Sequence, residues 1–197
     1  NTLDQDFYLR IAPELYLKRL TVGGFDRVYE INRSFRNEGV STQHNPEFTM
    51  LELYVAHETP DFLMNMIEDM MRAISQELFG SDKIEYQGET IDFTGHFQRL
   101  TMEESVLKYN PELDKEKIRD AGYLRSFAEG IDISVENDAG AGKILFEIFE
   151  KTVEHQLTQP TYITSYPREI SPLSRANDDD PWIVDRFEFF IMGRELA

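Results

Sequence analysis

The apolar positions of this chain change period several times, and the changes mark its elements. Phe7 to Ile11 reads as a short strand. Pro13 suits a first helical position, and Gly23-Gly24 stops the helix that follows. Phe25 to Arg36 and Phe48 to Val55 are β-rich stretches on either side of a polar loop, Asn37 to Glu47, which predicts an antiparallel hairpin with a long connection. Thr59-Pro60 opens a helix whose face Phe62, Met66, Met70, Ile74 and Leu78 is expected in the core, and Gly80 ends it. A small hairpin is expected from Ile84 to Phe93 around Gln87-Gly88, and the capping box Thr101-Met102-Glu103-Glu104 starts another helix. Residues from about Gly95 to Gly142 read as short helices and look like an insertion. Ile144, Leu145, Ile148, Phe149 and Val153 mark an amphipathic helix. Tyr162 to Tyr166 and Ile183 to Met192 read as strands, with Asp178-Asp179-Asp180 as a solvated loop between them. Strands at both ends with helices between them predict an α+β fold on an antiparallel sheet.

Strand alternation divides the second β-rich stretch into two faces. Thr49, Leu51, Leu53 and Val55 form the expected core face. Phe48, Met50, Glu52 and Tyr54 form the other, which combines aromatic, carboxylate and phenol groups as the floor of a ligand site would. Glu30, Asn32, Ser34 and Arg36 are in phase on the preceding strand. In the last strand Phe187, Phe189 and Ile191 lie on one side, Arg186 and Glu188 on the other. The alternative is a wet sheet face whose charges pair across strands.

Composition narrows the chemistry. A net charge of −17, from 20 Lys+Arg against 37 Asp+Glu, repels phosphate backbones on average, so any nucleic-acid contact must be local or supplied elsewhere. There is no cysteine, which excludes disulfides and thiolate metal sites. His44, His57, His96 and His155 lack metal-ligand spacing. Gly140-Ala141-Gly142-Lys143 is not a phosphate-binding loop, because the earlier glycine is missing and Ile144 stands where Ser or Thr is needed. No apolar run approaches the length that crosses a membrane, the start Asn1-Thr2-Leu3-Asp4 has no basic region followed by an apolar one, so no signal peptide is expected, and the lack of cysteine is compatible with a cytoplasmic address.

Phe35-Arg36-Asn37-Glu38 through His44-Asn45-Pro46-Glu47-Phe48-Thr49 resembles motif 2 of the class II aminoacyl-tRNA synthetases. The lead-in Arg10 to Leu20, the continuation Met50-Leu51-Glu52-Leu53-Tyr54 and the distal Asp185 to Phe190 with Gly193-Arg194-Glu195 resemble the bacterial lysine-specific branch. The resemblance covers nearly the whole chain, with motif 2 at about 25–55, and is weakest over the mainly helical stretch of about 95–142. It implies a class II synthetase-like antiparallel sheet flanked by helices, and a ligase that joins lysine to ATP and then to tRNA(Lys). It also implies roles. Arg36 would bridge the lysine carboxylate and the α-phosphate, since a guanidinium holds both and keeps its charge. Phe48 would stack on adenine, and Glu38, His44 and Asn45 would contact ATP. Glu14 would meet the α-amino group of lysine, or else be simply an acid favoured in a first helical turn. Glu52 and Tyr54 would surround the ε-ammonium. Glu188 and Glu195 would hold Mg²⁺ on the ATP phosphates. These two differ in parity, so a straight strand would aim them to opposite faces unless Gly193 supplies a bulge or bend.

The resemblance further implies that this is a partial catalytic domain. An N-terminal OB-fold domain, motif 1 with the homodimer interface and motif 3 would lie outside the chain, most tRNA contacts with them, and the fragment alone would be inactive. The rivals are a synthetase paralogue that lysylates a translation factor, in which Trp tends to stand at the place of Leu53, and a non-catalytic synthetase-derived module.

Overall fold

The computed structural model describes residues 3–37, 39–41 and 44–197. The chain divides into two compact units, 1–59 and 60–197.

In the first unit, helix α1 (Glu14–Val22) follows Pro13. It ends because Gly24 takes φ +101, which lets Gly24 N–H reach Thr21 O and Phe25 N–H reach Leu20 O. Strands β1 (Arg27–Phe35) and β2 (Glu47–Val55) pair antiparallel in continuous register. Phe7 to Ile11 is not a strand. Its main chain gives one ladder-like bond, Phe35 N–H to Arg10 O at 2.8 Å, and Pro13 follows too closely for a ladder to extend. The hairpin faces also depart from expectation. Tyr29, Ile31 and Leu51, on the apolar face, are exposed, whereas Phe48, Met50, Glu52 and Tyr54 are half-buried. Arg10, paired with Glu30, and Lys18, over the Tyr54 ring, reach over this second face and help to cover it, while Leu53 and Val55 on the apolar face are half-buried as well.

The second unit opens with α2 (Pro60–Phe79). Its buried positions are Met64, Glu68 and Ser75, with Ile67 and Met71 packed beside them, while Ile74 and Leu78 are exposed. The expected stripe of Phe62, Met66, Met70, Ile74 and Leu78 is therefore displaced around the helix. Counting apolar residues misses Glu68, whose carboxylate is buried against Arg99 at 3.0 Å and His96 at 3.1 Å. Strands β3 (Lys83–Tyr86) and β4 (Glu89–Asp92) make a two-residue hairpin, with Gln87 and Gly88 both at positive φ as a type I′ turn requires.

Strands β5 (Gln98–Thr101), β6 (Thr161–Pro167), β7 (Ile183–Ile191) and β8 (Arg194–Glu195) form one sheet in that order. The β5–β6 pair is parallel, so this sheet is mixed rather than purely antiparallel, and the fold remains α+β. Helix α3 (Met102–Tyr109) starts at the capping box of Thr101 and Glu104. Helices α3, α4 (Ala121–Gly130) and α5 (Ala141–Thr152) bury Val106, Leu124, Leu145 and Phe149 against Ile163, Val184 and Phe190. Tyr162 and Phe189, of opposite parity, pack with Met64, Phe93 and Phe97. The aspartates of 178–180 are not merely solvated: Asp178 pairs with Arg175, and Asp180 with Arg119 at 2.7 Å. Among the described residues no helix is long and apolar enough to cross a membrane.

Candidate functional site

The β1–β2 register builds the first group of predicted residues. Opposed residues share a face, and Val28 faces Tyr54, Glu30 faces Glu52, Asn32 faces Met50 and Ser34 faces Phe48. Arg36 follows β1 in the same phase, and its N–H extends the ladder to Pro46 O at 3.0 Å. Its guanidinium lies over the Phe48 ring, 5.1 Å from the centroid, and Nε donates to Ile11 O at 3.2 Å. The cross-strand ion pair that would make Arg36 a plain structural residue is not among its described contacts.

Glu52 and Tyr54, two residues apart on this face, are joined directly: the phenol donates to Glu52 Oε1 at 2.5 Å. Burial, followed by the charges of Glu52 and Glu14, pushes the Tyr54 hydroxyl far above its ordinary range, so it stays protonated and remains a donor. Glu14 stands in the first turn of α1 and pairs with Lys18 one turn on, and the Lys18 ammonium lies 5.7 Å from the centroid of the Tyr54 ring. Glu30 pairs with Arg10 at 2.8 Å. Of the three carboxylates Glu14, Glu30 and Glu52, only Glu52 has no cation among its described partners. His44 is exposed in the loop, bonded through Nδ1 to Ser41 Oγ at 3.1 Å, and Asn45 is exposed beside it. Glu38 lies outside the described residues.

In the second unit, β7 reverses through Met192 and Gly193, both at positive φ, and β8 returns with Glu195 opposite Phe190. Glu188 shares the Phe190 face, so Glu188 and Glu195 point to the same side. The parity conflict in the sequence is removed by a hairpin, not by a bulge. Glu188 is buried, accepts from Tyr166 OH at 2.7 Å and pairs with Arg186, whose guanidinium lies 4.9 Å from the centroid of the Tyr166 ring. Desolvation, then the Glu188 charge, raises the Glu195 carboxyl above its ordinary range, although the residue as a whole is exposed. Among the described residues no group of three or more His, Cys, Asp or Glu is placed to hold a metal ion. Two carboxylates on one face fit Mg²⁺, which takes one or two such ligands when phosphate oxygens supply the rest.

Sequence reasoning did not single out Arg10, Glu30, Lys18 or Tyr166. The phase of Glu30 with Arg36 was available as a signal; the partners of these residues depend on chain folding.

A family model described as tRNA synthetases class II (D, K and N) matches residues 1–197. A Lysine–tRNA ligase of Thioalkalivibrio sulfidiphilus is 54% identical over 197 residues, covering 100% of this chain and 40% of that protein. One of Teredinibacter turnerae is 55% identical, again over 100% of this chain and 41% of that protein. One of Psychromonas ingrahamii is 54% identical, with 100% and 39% covered. The chain thus spans about 40% of the length of the curated relatives it matches.

Proposed function

Because the chain belongs to the class II tRNA synthetases of the D, K and N group, we propose that it forms part of the catalytic domain of a lysine–tRNA ligase. The reading rests on one observation above the others. Glu52 presents a carboxylate with no cation among its described partners, accepting a hydrogen bond from the Tyr54 phenol, on the hairpin face that also carries Arg36 and Phe48. A carboxylate so placed selects an ammonium, because a neutral analogue would leave it unpaired. Phe48 and Glu52 are four residues apart, about 13 Å along the strand. That span suits an extended ligand with a cation at one end and an anion beside a planar base at the other, as in lysyl-adenylate.

In this mechanism a lysine carboxylate oxygen attacks the α-phosphorus of ATP. The bond to the bridging oxygen breaks, and pyrophosphate leaves with the electron pair. Arg36 holds the two anions together and offsets the charge that builds on the phosphorane oxygens. Glu52 and Tyr54 fix the ε-ammonium, Glu14 the α-amino group, Phe48 the adenine, and His44 and Asn45 contact the nucleotide. Glu188 and Glu195 would hold Mg²⁺, which neutralises charge on pyrophosphate when bound. The 3′ hydroxyl of tRNA(Lys) then attacks the acyl carbon and AMP leaves. The tRNA contacts are assigned mainly to other parts of the intact enzyme, a cytoplasmic homodimer.

The test is Glu52→Gln in a full-length ligase carrying this segment. Lysine KM in pyrophosphate exchange should rise more than a hundredfold, about 3 kcal/mol, with ATP KM within twofold. An unchanged lysine KM would refute the assignment.

A further inference from the structure

The β1–β2 register places two carboxylates, Glu30 and Glu52, directly opposite each other on one hairpin face. Like charges so opposed destabilise a hairpin unless one is neutralised. The neutralising group is Arg10, whose Nη2 lies 2.8 Å from Glu30 Oε1. Arg10 is brought there by its main chain, since Phe35 N–H bonds Arg10 O at 2.8 Å and Arg36 Nε bonds the next carbonyl, Ile11 O. The Asn32 side chain, and behind it the Arg10 guanidinium, hold the Glu30 carboxyl below its ordinary range, so Glu30 stays ionised and keeps its hold.

A guanidinium anchored beside two facing carboxylates has a choice of partner. On Glu52 it would fill the position of a ligand ammonium, and it would be the stronger competitor because it is tethered. On Glu30 it leaves Glu52 free. From this we infer that Glu30 is a positioning residue that captures Arg10, and that the Arg10–Glu30 pair sets the charge around Glu52 so that one ammonium completes it. The inference rests on the reading of Glu52 as the lysine ammonium site. It assigns no contact with substrate to either Arg10 or Glu30. The pair determines specificity by withholding an internal cation.

Four variants separate such a positioning pair from a merely structural one. In Glu30→Gln, Arg10 loses its carboxylate and turns to Glu52, so lysine KM rises roughly three- to tenfold while kcat and ATP KM stay near the parent. In Arg10→Met the competitor is gone and lysine KM does not rise. In the double variant Arg10→Met/Glu30→Gln, lysine KM returns to within about twofold of the parent, although two side chains have been changed. Glu30→Asp, with a shorter reach, gives an intermediate rise and carries the test if Glu30→Gln does not fold.

The experiment measures lysine-dependent pyrophosphate exchange for these variants and for Glu52→Gln in the same full-length ligase. Rescue of Glu30→Gln by Arg10→Met supports the inference. Equal or additive rises in the single and double variants, or no rise in Glu30→Gln, overturn it. If Glu52→Gln leaves lysine KM unchanged, the reading of the site itself has failed. If Glu52→Gln raises KM but the rescue is absent, the site stands and the Arg10–Glu30 inference alone falls.

Discussion

Replacing Glu68 with glutamine keeps the shape and helix propensity of the side chain and removes one buried charge. Glu68 is 1% exposed, and its carboxylate meets Arg99 at 3.0 Å and His96 at 3.1 Å, with Arg72 at 3.8 Å. A hydrogen bond to a charged group contributes about 1.5–3 kcal/mol, against about 0.5–1.5 for a neutral one. Losing that difference at the two close contacts would cost on the order of 2–3 kcal/mol. The partners lower this figure. Arg99 is partly exposed and keeps Asp61 and Asn65, Arg72 keeps Asp69 and the Gly95 carbonyl, and His96 is largely in solvent. We therefore expect Glu68→Gln to destabilise the second unit by about 2 kcal/mol, or roughly 4–8 °C in Tm. Urea unfolding followed by far-UV circular dichroism gives the first value, and calorimetry the second. A double-mutant cycle with Arg99→Gln should return a coupling of about 1 kcal/mol. A loss below about 0.5 kcal/mol, or a cycle that closes to zero, would refute the argument that these cations compensate the burial of Glu68.

Two further outcomes are expected of the second unit. The Lys83 ammonium, 2.8 Å away across the β3–β4 hairpin, together with Thr94, lowers the Asp92 carboxyl to about 2 from 3.8. Its contribution is therefore present above 3.8 and lost as the pH falls through about 2, so the stability gap between the parent and Asp92→Asn should close over that window when urea midpoints are followed with pH. At the start of α5, a Cβ on Gly142 would stand 2.7 Å from Pro167 Cβ and 3.0 Å from Glu169 Oε2. Gly142→Ala should then destabilise by about 1–3 kcal/mol in the same assay despite better helix propensity, and a stabilising effect would show that the loop yields freely.

Local chemistry was legible from the sequence because it depends on neighbours a few residues apart. The Thr101–Glu104 capping box, the Gly24 helix stop, the Gln87-Gly88 turn and the phase shared by Phe48, Glu52 and Tyr54 follow from capping, φ preference and strand alternation. The spacing of Arg36 and Phe48 around a long loop, with Glu52 beyond, was legible for the same reason, and it carried the family. What the tertiary structure decided involves partners distant in sequence. Glu68 reads as an outward position until Arg99 arrives to pair with it and His96 to bond its other oxygen, and that moves the buried stripe of α2. Leu51 reads as core, yet it is exposed, and it is the opposite face that Arg10 reaches by pairing with Glu30 and Lys18 by lying over the Tyr54 ring. Glu195 reads as facing away from Glu188 until the chain reverses at Gly193. Gly140 and Gly142 read as a failed phosphate loop. In the fold they make room for the Glu169 carboxylate, which accepts from Gly140 N–H at 2.8 Å and Lys143 N–H at 3.1 Å and so places an anion from the chain itself at the helix N-terminus. Periodicity records which residues can share a face. Which face is covered depends on where distant charges find their partners, because burying an unpaired charge costs more than exposing a few apolar side chains.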